Sequence, residues 1–141
     1  MDKIALTPLK IIPNPSGDIL HAIKKTDASF TGFGEAYFSM INQGEIKGWK
    51  KHNTMTLNLI VPLGEIQFVI YDKRENSFNY GEFFTISLSL DNYQRLTIPP
   101  GLWVGFKGVL SKNMLLNIAS IEHDPFENII LPLDSFEYNW K

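Results

Sequence analysis

Phe84-Thr85-Ile86-Ser87-Leu88-Ser89-Leu90 alternates apolar and small polar side chains without a break. Successive side chains of a strand point to opposite faces, so this period of two predicts Phe84, Ile86, Leu88 and Leu90 inward and Thr85, Ser87 and Ser89 outward. The same pattern lies just upstream in Glu65 to Asp72, with Ile66, Phe68 and Ile70 on one face and Gln67, Val69 and Tyr71 on the other. Both read as half-buried strands. Further strands are expected at Phe33 to Asn42, Thr56 to Leu63, Arg95 to Ile98, Leu102 to Gly105, Met114 to Ser120 and around Ile11 and Ile12. Turn-forming clusters separate them, among them Asn42-Gln43-Gly44, Leu63-Gly64, Asn79-Tyr80-Gly81 and Pro99-Pro100-Gly101. Many short strands at regular spacing, without a long helical stripe, predict an all-β sandwich or barrel. Ile19 to Lys25 is expected to form one short helical turn, and Asp124 to Lys141 an irregular tail or short helix packed back on the sheet.

The composition agrees with a compact chain. With 141 residues, 44% apolar and 20% charged, it fits one domain over residues 1–141 and excludes a disordered or collagen-like polymer. The net charge of -2 gives no general attraction to nucleic acid or to a membrane surface, both of which call for a basic excess. There is no cysteine, which removes disulfides and thiolate metal sites. Lys3, Pro8, Lys10, Pro13 and Pro15 break up the apolar core a signal peptide needs, and no run reaches the length of a membrane span. A cytoplasmic location is therefore expected.

The segment richest in chemistry is Gly44-Glu45-Ile46-Lys47-Gly48-Trp49-Lys50-Lys51-His52, running on to Gly64. Gly44 is followed after five residues by Lys50-Lys51-His52, after four more by Leu57, and after six more by Gly64. This spacing resembles the first motif of the cupins, in which a glycine precedes His-x-His, a glutamate and a second glycine. Pro99-Pro100-Gly101, two residues and Val104 resemble the second cupin motif, Pro-x-Gly followed by histidine. The resemblance implies a double-stranded β-helix, or jelly roll. At the four positions that hold metal in metal-binding cupins, this chain has Lys50, His52, Leu57 and Val104. One imidazole cannot hold a transition metal that normally takes three or four donors, so neither metal nor other cofactor is expected.

A narrower resemblance emerges from Ile46-Lys47-Gly48-Trp49, Val69-Ile70-Tyr71-Asp72-Lys73-Arg74, Ser77 with Tyr80-Gly81, and Leu96-Thr97-Ile98-Pro99-Pro100-Gly101 with Gly105-Phe106. In this order and spacing, from about Phe33 to Glu127, the chain is similar to the dTDP-4-dehydrorhamnose 3,5-epimerase family. That family carries Arg-Gly-Leu-His, Asp-x-Arg with Ser-Pro-Thr-Phe-Gly, and Ile-Pro-x-Gly-Phe-Ala-His-Gly-Phe. The resemblance implies a metal-free homodimer that binds a nucleotide-linked 4-keto-6-deoxy sugar and works in surface-polysaccharide synthesis. It also implies proton removal beside the ketone and proton return on the opposite face. Such chemistry needs a base, a group to stabilise the enolate oxygen and an acid. This chain departs from the family at each: Lys50 stands at the catalytic histidine, Val104 at the second histidine, and Leu115 or Leu116 at the acid tyrosine.

Lys50 and His52 are the candidate catalytic residues. In an extended strand they share a face. Lys50 could act as base, with Lys47 and Lys51 nearby to lower its pKa, or His52 could act as base while Lys50 polarises the ketone. Candidate substrate contacts are Glu35, at a family glutamate near the nucleotide base, Lys47, and Arg74, whose guanidinium suits an ion pair or a phosphate. Tyr80 and Trp103 could stack on a base or sugar, with core or dimer packing the alternative. Asn58 and Asn117 sit among apolar neighbours and need hydrogen-bond partners if buried.

Overall fold

The computed structural model describes residues 3–141. In chain order its strands are β1 (Ala5–Pro8), β2 (Ile11–Ile12), β3 (Ile19–Leu20), β4 (Glu35–Asn42), β5 (Ile46–His52) and β6 (Leu57–Leu63). They continue as β7 (Glu65–Tyr71), β8 (Phe83–Ser89), β9 (Gln94–Ile98), β10 (Trp103–Gly108), β11 (Lys112–Ala119) and β12 (Asn128–Ile130), before a single 3-10 turn at Leu133–Ser135. One sheet has the order β1-β9-β6-β11-β4, the other β12-β5-β10-β7-β8, and β2 pairs only with β3. From β4 onward every connection except β7 to β8 crosses from one sheet to the other. This winding is the double-stranded β-helix, and the protein is an all-β jelly roll.

The two sheets close on one apolar core. Leu57, Leu59, Val61, Leu96, Ile98 and Leu115 from the first sheet meet Ile66, Phe68, Ile70, Leu88 and Val104 from the second. Their alternation along β6, β7 and β10 is what the period of two demands, with every second side chain in the core. On β8, Phe84 and Ile86 pack against this core and Leu88 is buried in it. Leu90 is not: it lies past the end of the strand and is 45% exposed.

The opposite face of β7 departs from the expected half-burial, since Val69 is fully buried. The reason is the C-terminal tail. Leu131, Phe136, Tyr138 and Trp140 fold over the outer face of the second sheet and pack on Trp49, Val69 and Trp103. Trp49 anchors this layer: its rings lie 5.4 Å from Phe136 and 5.5 Å from Trp140, and its indole N–H donates to the Leu133 carbonyl at 3.0 Å. The tail also adds β12 to the edge of β5, so it is partly strand where an irregular segment or helix was expected. At the other end, Ile19 and Leu20 form no helical turn. They pair with Ile12 and Ile11, and the His21 amide extends the ladder to the Lys10 carbonyl.

A bulge in the pairing of β5 with β10 shapes the centre of the molecule. Lys50 pairs with Val104 and Lys47 with Phe106, leaving one more residue on β5 than on β10 between them. Because of that extra residue, Lys47 falls on the same side of the sheet as Lys50 and His52 instead of opposite. Close approach favours glycine on both strands here, most strongly on β5. A Cβ on Gly48 would lie 2.9 Å from the Gly105 Cα, and one on Gly105 would lie 3.0 Å from the Trp140 ring.

Candidate active site

Between the sheets, at the end where β4 and β5 face each other, lies a cavity of about 280 Å³. Tyr37 and Ser39 come from β4, Leu57 and Leu59 from β6, and Leu115 and Asn117 from β11. The second sheet supplies Lys47, Lys50 and His52 from β5, Val104 and Phe106 from β10, and Ile130 from β12. Lys50, His52, Leu57 and Val104, the four positions drawn from the cupin spacing, thus converge on one cavity. Most of its surface is apolar, which strengthens the few polar groups present.

His52 does not stand alone. Its Nδ1 is hydrogen-bonded to the Glu127 carboxylate, and both side chains are buried. The other Glu127 oxygen accepts the backbone amides of Asn53, Thr54 and Met55 at 3.0–3.1 Å, and the Thr54 hydroxyl. Burial alone would raise the carboxyl pKa. The bond from His52 and the amides of Thr54 and Met55 outweigh it and hold Glu127 at about 2. Glu127 is therefore a fixed anion at neutral pH. By keeping a proton on Nδ1 it leaves Nε2 of a neutral imidazole as the nitrogen free to accept one.

Lys47 is a strut between the sheets, its ammonium donating to the Met40 carbonyl at 2.7 Å and to the Ser39 hydroxyl at 3.2 Å. Opposite β5, the Asn117 amide donates to the Tyr37 hydroxyl at 2.9 Å, while Asn117 Oδ1 is buried without a partner among the described residues.

The remaining candidate residues are not brought to the cavity. Asn58 lies on the far face of β6 from Leu57 and Leu59. Its Oδ1 accepts from Arg95 and Thr97, and its Nδ2 donates to the Ser29 carbonyl. Trp103 faces the tail rather than the cavity, edge-on to Phe136 with the Lys51 ammonium 5.2 Å from its ring centre. Arg74 forms an ion pair with buried Asp72, which also accepts the Ser77 hydroxyl. The Arg74 hydrogen bond, against the opposing effect of burial, holds Asp72 at about 2. Tyr80 is exposed in the loop between β7 and β8. Glu35 begins β4 on the face of Tyr37 and Ser39 but lies beyond the cavity lining.

Sequence reading missed Glu127, Tyr37 and Ser39. Glu127 carried no local signal, because its partner is far away in the chain and the turn that presents it precedes a short strand. Tyr37 was legible in part, since it shares the alternation of Glu35 on β4.

Comparison with known proteins gives these residues a context. No protein-family model matches the chain. A probable low-salt glycan biosynthesis epimerase of Haloferax volcanii is 34% identical over 57% of this chain and 53% of its own length. The match thus spans about half of that relative. The spore coat polysaccharide biosynthesis protein SpsL of Bacillus subtilis is 35% identical over 77% of this chain and 75% of its own. Among solved structures, a dTDP sugar isomerase of Desulfovibrio desulfuricans superposes with a TM-score of 0.92 at 35% identity, covering 95% of this chain and 87% of that one. A dTDP-4-dehydrorhamnose 3,5-epimerase of Sulfolobus tokodaii follows the same fold, with a TM-score of 0.86 at 23% identity over 98% of this chain and 82% of that one. With 35% identity to two of these proteins over three quarters or more of their length, and with the jelly roll they share, the chain belongs to the dTDP-4-dehydrorhamnose 3,5-epimerase-like family of cupins.

Proposed function

We propose that this protein moves a proton at a carbon beside the ketone of a nucleotide-linked 4-keto-6-deoxy sugar, as an epimerase or isomerase of surface-polysaccharide synthesis. The observation that carries this reading is the buried His52–Glu127 pair beside Lys50 in an apolar cavity. His52 Nε2 is the base. Removing a carbon-bound proton leaves negative charge on the ketone oxygen, and the Lys50 ammonium, with no protein hydrogen bond among the described residues, stabilises it. Of the two roles open to Lys50 from sequence, polarising the ketone fits better, because the carboxylate that completes a base is on His52. Lys47 and Asn117 border the bound sugar, and the nucleotide extends from the cavity mouth.

The roles of the relatives in glycan and spore-coat polysaccharide biosynthesis support the pathway class. Residues 1–141 act as one domain in this reading, in the cytoplasm, where nucleotide sugars are made. The protein acts as a homodimer, for which the support is β4, a sheet edge that exposes Phe38 and Met40. The test is incubation with a dTDP-4-keto-6-deoxy sugar in heavy water. Deuterium at a carbon beside the ketone, much slowed in Lys50→Ala, is the expected result. Protection of the fold by the sugar nucleotide without any exchange would reduce the protein to a binder and sink the catalytic reading.

A further inference from the structure

The cavity is polar at its rim and apolar in its depth. β4 and β12 are edges of their sheets, whereas β6 and β10 lie inside them. Tyr37 and Ile130, on the edge strands, are exposed, while Leu57, Leu59, Val104 and Leu115 are buried. Every residue that β6 and β10 give to the cavity, Leu57, Leu59, Val104 and Phe106, is apolar. A sugar hydroxyl pressed against that depth would lose its water and gain no partner, which is costly. The methyl group of a 6-deoxy sugar carries no such cost, so it is the end of the ring suited to enter first.

Asn117 stands where depth meets rim. Leu115 precedes it in the cavity lining on β11, Leu59 is its partner across to β6, and Tyr37 its partner across to β4. Its Nδ2 is spent on the Tyr37 hydroxyl. Its Oδ1 is the sole buried side-chain polar atom among the described residues that lacks a hydrogen-bond partner, on a residue only 6% exposed. A buried acceptor left without a donor is costly, and in the lining of a cavity the missing donor is one that a ligand supplies. On a sugar that donor is a hydroxyl.

We propose that Asn117 selects the sugar by its C3 hydroxyl, which donates to Oδ1 while the 6-methyl rests against Leu57, Leu59 and Val104. The two carbons flanking the 4-ketone of such a sugar differ in what they carry, since C5 bears the methyl and C3 a hydroxyl. With the ketone oxygen at Lys50 and the methyl in the depth, C3 is turned towards the boundary where Asn117 stands. This rests on the proton-transfer function proposed above and narrows its substrate class to 4-keto-6-deoxy sugars that keep the C3 hydroxyl. Asn117 moves no proton in this assignment. It is a specificity residue, and it sets which way round the ring lies.

The experiment compares wild type with Asn117→Leu on a dTDP-4-keto-6-deoxy sugar, its 3-deoxy analogue and its 6-hydroxy analogue. Deuterium uptake from heavy water gives kcat/KM for each, and the shift in unfolding midpoint gives binding. Leucine adds no polar atom beside Leu59 and Leu115 and leaves only the exposed Tyr37 hydroxyl to water, so the variant keeps its fold. Loss of the hydroxyl changes the reactivity of the sugar itself, and that difference cancels when the two proteins are compared. The preference for the 3-hydroxy over the 3-deoxy sugar is expected to be about 10- to 100-fold greater in wild type than in Asn117→Leu. Rejection of the 6-hydroxy sugar, by about 100-fold, is expected in both, because Leu57 and Val104 are untouched. An equal 3-hydroxy preference in the two proteins would overturn the assignment, including the case in which the variant loses all three sugars in parallel. Wild type that takes the 6-hydroxy sugar as readily as the 6-deoxy one would overturn the orientation. Wild type that exchanges nothing, yet is protected more by the 3-hydroxy than by the 3-deoxy sugar where Asn117→Leu is not, would sink the proton-transfer function and leave the contact standing. Neither exchange nor protection would end both.

Discussion

Glu127 sets the chemistry of His52 and contributes stability through the same bonds. Glu127→Gln keeps the shape but loses the charge that fixes the imidazole tautomer, and it turns one acceptor oxygen into a donor facing backbone amides. Exchange catalysed by this variant is expected to fall by about 100-fold or more, measured as deuterium uptake. The stability effect has a definite sign. The folded pKa of Glu127, about 2, lies below the ordinary glutamate value of 4.5, so the charged form is favoured by the fold. That contribution, about 3 kcal/mol, is present in full above pH 4.5 and is lost as pH falls through about 2. Urea denaturation of wild type and Glu127→Gln should therefore show a gap at pH 7 that closes across this window. A gap that stays constant down to pH 2 would remove the proposed anchoring. From sequence, the pair was half legible: cupin spacing picked out His52, but no periodicity points from it to an acid in the turn before the last short strand.

At the scale of elements, β5 carries the site, and its geometry depends on the bulge opposite Gly105. Alternation alone explains why Lys50 and His52 share a face, and this was readable in Lys50-Lys51-His52. It puts Lys47 on the wrong side, because a one-residue bulge leaves no mark in an apolar pattern. Gly48→Ala tests the element. A Cβ there meets backbone of β10 at 2.9 Å, so the strands must separate. The expected cost is about 1–3 kcal/mol, seen as a lower midpoint in thermal or urea unfolding, together with loss of activity beyond what stability explains. An unchanged midpoint would mean that β5 and β10 have more room than the structure gives them. The burial of Val69 was equally out of reach from the sequence, since a strand's alternation cannot reveal that a distant aromatic tail covers its outer face.

For the molecule as a whole, the jelly roll is the level at which the sequence was most informative. Strand alternation, glycine turns and cupin spacing are consistent with one another, and each recurs in the two facing sheets. What remained hidden were contacts between residues distant in the chain, Lys47 to Met40 across the two sheets and Asn117 to Tyr37 between paired strands of the first sheet. The proposed dimer belongs to this scale. Phe38 and Met40 face outward on β4, 64% and 49% exposed. Phe38→Glu is expected to shift the protein from dimer to monomer in analytical ultracentrifugation while leaving the fold intact, because no core contact is lost. A wild-type protein that sediments as a monomer at tens of micromolar, or a Phe38→Glu variant that stays dimeric, would move the interface elsewhere or abolish it.

The proposed chemistry turns on one base. The most direct measurement is deuterium incorporation from heavy water into a dTDP-4-keto-6-deoxy sugar, comparing wild type with His52→Asn at equal concentration of folded protein. Wild type is expected to place deuterium on a carbon beside the ketone, and His52→Asn to do so at least about 100-fold more slowly. Equal rates in the two proteins would contradict the assignment of His52 as the base.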